Sequence, residues 1–418
     1  MSSQRYLKDH QPAGPEQTGR QPTEADHGPN RRWWAAVLAV VAVLAVVAAA
    51  FIVGRLRGDD GGSTGTPTTS VPTSSLTTTG PTSSTSPSGG TSPTTHQPPP
   101  GVLDVTVLPT GAAPAIGYLD HGVARLPDGT SVQPGTQHRP VQFVSLADDS
   151  IAYLTQRGSA MAVEVVTADG VHHGPYRAGY ELAVNADHSL VAWLTPRGVP
   201  TAWQPGLTEP VTFPTVVPGN SLRLAAVTGD DATTPDGCRL YVNSWTGDTP
   251  RAWVATPGGT LSRADTLHRF VAVRDATESG QLVGYLRITD NGSTSGVVDE
   301  AAAGHPLLWQ TSRHTLDWFS PDQRYLLAGP AYRDGIGDGQ IAIYSSTGKL
   351  LVQRQISDRA PGFISRATWE DARHVLFTIH QGGRWSVVRM GVDGHLEYAV
   401  PPVAARWDHA PFQLEVTP

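Results

Sequence analysis

Apolar positions fall along this chain in three regimes. From Trp33 to Val53 the run WWAAVLAVVAVLAVVAAAFIV contains no polar or charged side chain. On either side the chain is polar. Residues 1–32 hold only Met1, Tyr6 and Leu7 as aliphatic or aromatic side chains other than Ala, and 37 of the 43 residues from Gly58 to Pro100 are Gly, Ser, Thr or Pro. After Gly101 the apolar residues return in runs of four to seven: 150–154 (SIAYL), 190–194 (LVAWL), 240–245 (LYVNSW), 282–288 (LVGYLRI), 325–328 (YLLA), 340–344 (QIAIY) and 374–379 (HVLFTI). These are rich in Val, Ile, Tyr, Trp and Leu and are bounded by Gly, Asp and Pro, which predicts strands. No amphipathic helical pattern occurs after Gly101.

The first regime predicts a membrane-spanning helix. At 1.5 Å per residue its 21 residues extend about 31 Å, close to the roughly 30 Å hydrocarbon core of a bilayer. Arg31, Arg32, Trp33 and Trp34 precede or open it, and Arg55 and Arg57 follow. A cleaved signal peptide is the rival reading, with Ala48, Ala49 and Ala50 as its cleavage region. The run is longer than the usual h-region and lies behind 32 polar residues, which favours a retained anchor. Five Lys and Arg precede it, against two that follow before Arg125, so the positive-inside rule places the N-terminus in the cytoplasm and the large domain outside. Residues 1–32 are expected to be a disordered cytoplasmic tail and 54–100 a linker, since neither can bury a core. A coil from Gly58 to Pro100 has a reach of about 35–40 Å, enough to hold a domain off the bilayer.

Within residues 101–418 a small acidic turn recurs before a strand. Its acidic positions are 148, 187, 236, 278, 322 and 371, separated by 39, 49, 42, 44 and 49 residues. The mean, about 45, matches a four-stranded propeller blade. Pro presets one φ and Asp bonds its own backbone, so the turn reverses the chain between the first two strands of a blade. The copy Trp318-Phe319-Ser320-Pro321-Asp322-Gln323 resembles the W-S-P-D-G repeat of TolB-like and WD-like β-propellers, with Gln323 where the repeat has Gly. That resemblance implies an all-β fold, a single β-propeller, which can bind partners where loops converge on a central channel. Six turns imply six blades. The pieces 115–133, read as a strand pair around Pro127-Asp128-Gly129, and 411–417, read as a final strand, would add a seventh from both chain ends and remove the open sheet edges. Seven blades are expected rather than six; two β-sandwiches are the alternative fold.

Composition narrows the function classes. From Gly101 onward 23 Lys and Arg face 31 Asp and Glu, the wrong balance for a nucleic-acid binder. Two lysines against 28 arginines resemble the coding bias of GC-rich actinobacterial genomes. The lone Cys238 can form neither an internal disulfide nor a cysteine zinc site and is expected to be a small buried hydrophobe. No Gly-x-Ser-x-Gly elbow occurs. Ser346-Thr347-Gly348-Lys349 lacks the spacing of a phosphate loop and reads as a hairpin turn. Asp334-Gly335-Ile336-Gly337-Asp338-Gly339 has Ile336 where a calcium loop needs an oxygen ligand. His172 and His173 are neighbours on a strand and face apart. Asn291-Gly292-Ser293 is a formal glycosylation triplet, discounted in a bacterial-looking chain. Trp407-Asp408 lacks the Gly-His partner of a WD repeat, and the nine tryptophans after Gly101 are assigned to blade packing.

No catalytic, metal or cofactor residue is assigned. The expected function is a membrane-anchored, extracytoplasmic binding or scaffold module of the cell envelope. Its partners are the lipid bilayer, through Trp33–Val53, and a protein or envelope ligand; no nucleic acid is expected. Loops 228–237 and 331–339 are expected to decorate the binding face. The alternative is an extracytoplasmic hydrolase or lyase with a site in the propeller channel.

Overall fold

Seven sheets, each with four antiparallel strands and one with a further parallel strand, make up a computed structural model of the chain, which describes residues 100–134, 138–246, 249–263, 269–333 and 336–418. Blades 2 to 7 are meanders in chain order, over residues 139–178, 182–212, 220–262, 272–311, 314–356 and 362–404. Blade 1 combines both ends of the domain: Phe412–Leu414 is its innermost strand, and Tyr118–Asp120, Val123–Arg125 and Ser131–Val132 follow outward. The fold is a single seven-bladed β-propeller. Among the described residues there is no α-helix, and no helix is long and apolar enough to cross a membrane. The expected tail, spanning helix and linker lie outside the described residues.

The apolar runs became strands because each is apolar on both faces. In a propeller the second strand of a blade is covered by the blades on either side. His374–Gln381 has Val375, Leu376, Phe377 and Ile379 fully buried, and Cys238–Thr246 has Leu240 and Val242 fully buried. Hence six of the seven runs are second strands; 340–344 is the third strand of blade 6.

All six acidic turns join a first strand to a second. Asp148 accepts from Ser150 N–H and Oγ, and Asp187 does the same for Ser189. Ser320 and Asp322 close the third example, where the Gln323 N–H donates to the Ser320 carbonyl at 2.7 Å. Gln323 has φ 59°, matching Asp149 at 65° and His188 at 59°, so the position that Gly fills in the repeat keeps its left-handed backbone. In blade 4 the carboxylate role passes from Asp236 to Asp231, which accepts from Thr233.

The terminal pieces close the ring, with two revisions. Residues 115–133 form three short strands rather than a pair, and Pro127-Asp128-Gly129 joins the outer two. The second concerns residues 101–114, for which the pattern predicts no element. Val102–Leu103 pairs in parallel with Gln355 and Ile356 as a fifth strand on blade 6. The chain then crosses to blade 7, burying Leu103, Val105 and Leu108 against a core that includes Trp369 and Phe377. Thr110 bridges Tyr398, whose hydroxyl donates to the Val105 carbonyl. A two-residue pairing with a strand some 250 positions away leaves no local hairpin pattern to detect.

Closure rests on Leu414 and Phe412, which are buried, and on Glu415, which accepts from the Gly117 N–H at 2.7 Å and from the Ser145 N–H of blade 2. Leu414→Ala is expected to lower the unfolding free energy by about 2–5 kcal/mol, measured by urea titration of the variant against the parent.

Candidate functional site

The first strands of the seven blades surround a central channel of about 1120 Å³. Its wall is charged, and several of the charges are paired across blades. Asp317, on the first strand of blade 6, is 4 % exposed; it meets Arg274 of blade 5 at 2.8 Å and Arg333 at 2.6 Å. Arg333 also reaches Asp338 at 3.3 Å, and Arg274 lies 5.2 Å over the Trp318 ring. Burial opposes the Arg333 charge, but the carboxylates of Asp317 and Asp338 outweigh it and raise the pKa. For Asp338 burial wins and raises the carboxyl against the pull of Arg333. The short geometry makes the group an ion network all the same. Across the channel Arg223 pairs with Glu181 at 2.8 Å.

Asp275 is sunk in the wall between blades 5 and 6. It accepts from the Phe319 N–H at 2.9 Å and the Ala276 N–H at 2.7 Å. Burial dominates these bonds and the Arg274 charge, and pushes its carboxyl up to about 6. Among the described residues no group of three His, Cys, Asp or Glu is placed to hold a metal.

The channel opens on two unlike faces. One carries the first-to-second and third-to-fourth strand turns. The other carries the second-to-third strand loops and the links between blades. Among the described residues, six of the ten exposed large apolar side chains lie on this second face: Tyr180, Val216, Ile288, Tyr332, Ile336 and Trp407. Ile288 and Tyr332 line the channel mouth itself. The two loops expected to decorate one face are on opposite faces: 228–237 is a first-to-second strand turn, and 331–339 a second-to-third strand loop. Direction alternates along a meander, so a loop's face is set by its rank in the blade, which length and composition do not show.

The other residues singled out fall as follows. Asp338 of the glycine-rich loop is held by Arg333 and by a two-way backbone bridge to Ile364 of blade 7, while Asp334 and Gly335 lie outside the described residues. His172 is exposed and His173 packs 6.2 Å from Trp203. Ser346 to Lys349 is a hairpin turn with Gly348 at φ 86°. Cys238 is buried, and burial pushes its thiol up to about 12. Trp193, Trp203, Trp369 and Trp385 are packed inside, whereas Trp407 is exposed beside an Asp408 engaged by Arg406 and His409. The arginines of the channel had no sequence pattern: each stands alone in a different blade.

No family profile matches the chain, and no curated protein matches it. Solved propellers resemble it. They include the propeller domain of the trilobed protease of Pyrococcus furiosus, with 10% identity, TM-score 0.43, and 63% of this chain and 84% of that one covered. The WD40 repeats of RRP9 give 13% identity, TM-score 0.45, and 70% and 86% coverage. A putative TolB from Agrobacterium tumefaciens gives 14%, 0.37, 53% and 80%. The assignment to the propeller fold rests on the strand pairing itself.

Two outcomes follow from the buried groups. Asp317→Asn leaves Arg274 and Arg333 without their shared carboxylate. A loss of about 2–3 kcal/mol in urea unfolding is expected, moderated because both guanidinium groups keep contact with channel water. Asp275 has a folded pKa above its unfolded value, so between about pH 4 and 6 the folded state binds the extra proton and gains stability as pH falls. Relative to Asp275→Asn, the parent is expected to gain roughly 1–3 kcal/mol on going from pH 7 to pH 4, read from paired unfolding curves at each pH.

Proposed function

We propose that this protein is an extracytoplasmic binding module that engages a protein partner on the face bearing Tyr180, Ile288, Tyr332, Ile336 and Trp407. The concentration of exposed apolar side chains on that one face carries the reading. Apolar side chains exposed on one face, two of them at the channel mouth, are costly in water and are covered when a partner docks. Among the described residues the opposite face offers Val171 in a turn, and Leu308 and Leu351 at the starts of fourth strands. The apolar segment from Trp33 to Val53 acts as an N-in anchor, and residues 54–100 as the tether that lets the domain reach its partner. The charges flanking the segment and the Ser/Thr/Pro composition of the tether support this topology.

A photo-crosslinking amino acid at Tyr332 of the full chain in living cells tests the docking face. One discrete protein adduct is expected from Tyr332 and none from Leu351 on the outer edge of blade 6. Equal labelling from both positions rejects the face. External protease added to cells stripped of their wall should degrade the propeller and spare the N-terminal tail; a protected propeller overturns the topology.

A further inference from the structure

Among the described residues, Arg366 is the channel-lining arginine without an ion-pair partner. It stands on Gly362–Trp369, the first strand of blade 7, and lines the channel with Glu181, Arg223 and Arg274 from other blades. All three arginines act on Glu181, whose carboxyl is nonetheless raised because burial outweighs them. Arg223 holds Glu181 directly, and Arg274 holds Asp317. The Arg366 guanidinium has no hydrogen-bond or ion-pair partner among the described residues; only its backbone carbonyl is engaged, by Thr378 Oγ1 at 3.4 Å. It keeps some contact with channel water, yet protein surrounds it. Burial lowers its pKa, with the charge of Glu181 pulling the other way.

An arginine does not escape such a position by losing its proton. A cation held away from bulk water without a direct ion pair costs the fold, and an apolar side chain of similar size would avoid that cost. Among the described residues no carboxylate pairs with Arg366 directly, which leaves the guanidinium open to an anion. We propose that the channel binds a carboxylate group on Arg366. The planar guanidinium fork matches a carboxylate in two parallel hydrogen bonds. One unmatched positive charge beside Glu181 suits a single negative charge; a phosphate dianion would bring a second charge with no free cation to meet it. Gln413, also lining the channel, has a buried side-chain oxygen with no hydrogen-bond partner. With that oxygen turned inward, the N–H donors of the same amide are left for an anion in the channel. The carboxylate can belong to a free organic acid or to an acidic side chain of a docked protein.

The test uses the full chain in detergent, with binding followed by calorimetry and by the thermal midpoint. The probes are succinate, a capped peptide with one central Asp, the same peptide with Asn, and inorganic phosphate, all at equal ionic strength. Saturable binding of succinate or of the Asp peptide is expected, weakened at least tenfold in Arg366→Gln, less in Arg366→Lys, and unchanged in the exposed control Arg125→Gln. Succinate binding points to a free acid as the source, and binding of the Asp peptide alone to a protein-borne one. Without probe, Arg366→Gln should keep or raise the thermal midpoint, since it removes an uncompensated cation. The proposal fails if neither carboxylate binds, if phosphate or the Asn peptide binds as tightly, or if Arg366→Gln binds as the parent does. Because small acids test it without a partner, its failure is distinct from that of the docking face.

Discussion

Within its own sheet the first strand of every blade pairs on one side only, and this constrains the rest of the molecule. Its other edge faces the channel with unpaired N–H and C=O groups, which cost free energy if left buried and unbonded. Side chains of adjoining blades meet many of them. Glu415 takes the Ser145 N–H, Gln142 the Leu182 N–H at 2.9 Å, and Asp275 the Phe319 N–H. Asn243 bonds both backbone groups of Val273, at 2.7 and 2.8 Å. The end of the first strand of blade 4 is held from both sides, Gly229 N–H by Glu278 and Gly229 C=O by Asn185. These bonds satisfy the inner edges and fix the angle between blades at once.

The charged channel wall follows from that arrangement. A ring of inner edges cannot be lined with hydrocarbon alone, so polar side chains collect where seven strands converge, and low exposure then demands that each charge find a partner. Asp317, Arg274 and Arg333 meet that demand across blades 5 and 6. A similar solution holds the crossing segment 101–114: the buried Arg389 binds Glu370 and Glu397, and donates to the carbonyls of Ala112 and Ala113 at 3.1 and 3.0 Å. Removing either partner of such a set strands a charge, so these positions are tightly coupled to the fold. Among the described arginines of the channel wall Arg366 is the exception, and exceptions to local consistency tend to mark function.

Much of the architecture was legible because propeller turns are local. An Asp or Glu two residues from its backbone partner acts within a handful of positions, so Asp148, Asp187 and Asp322 could be recognised without neighbours. The closing strand 411–417 was legible for a related reason, since six complete turns left one unmatched strand at the end. The segment 101–114 and the arginine network were not. Leu103 packs on residues some 250 positions later, and Arg274, Asp317 and Arg333 are ordinary surface-type residues until the blades bring them together.

By itself the sequence determined strand periodicity, turn chemistry, blade spacing and an apolar segment long enough to span a bilayer, because each is encoded by residues within one turn or one run. Tertiary structure alone decided which loops share a face, which charges are paired and which guanidinium is left over. Those properties depend on direction along each meander and on contacts between blades, and contacts of that range have no period in the chain.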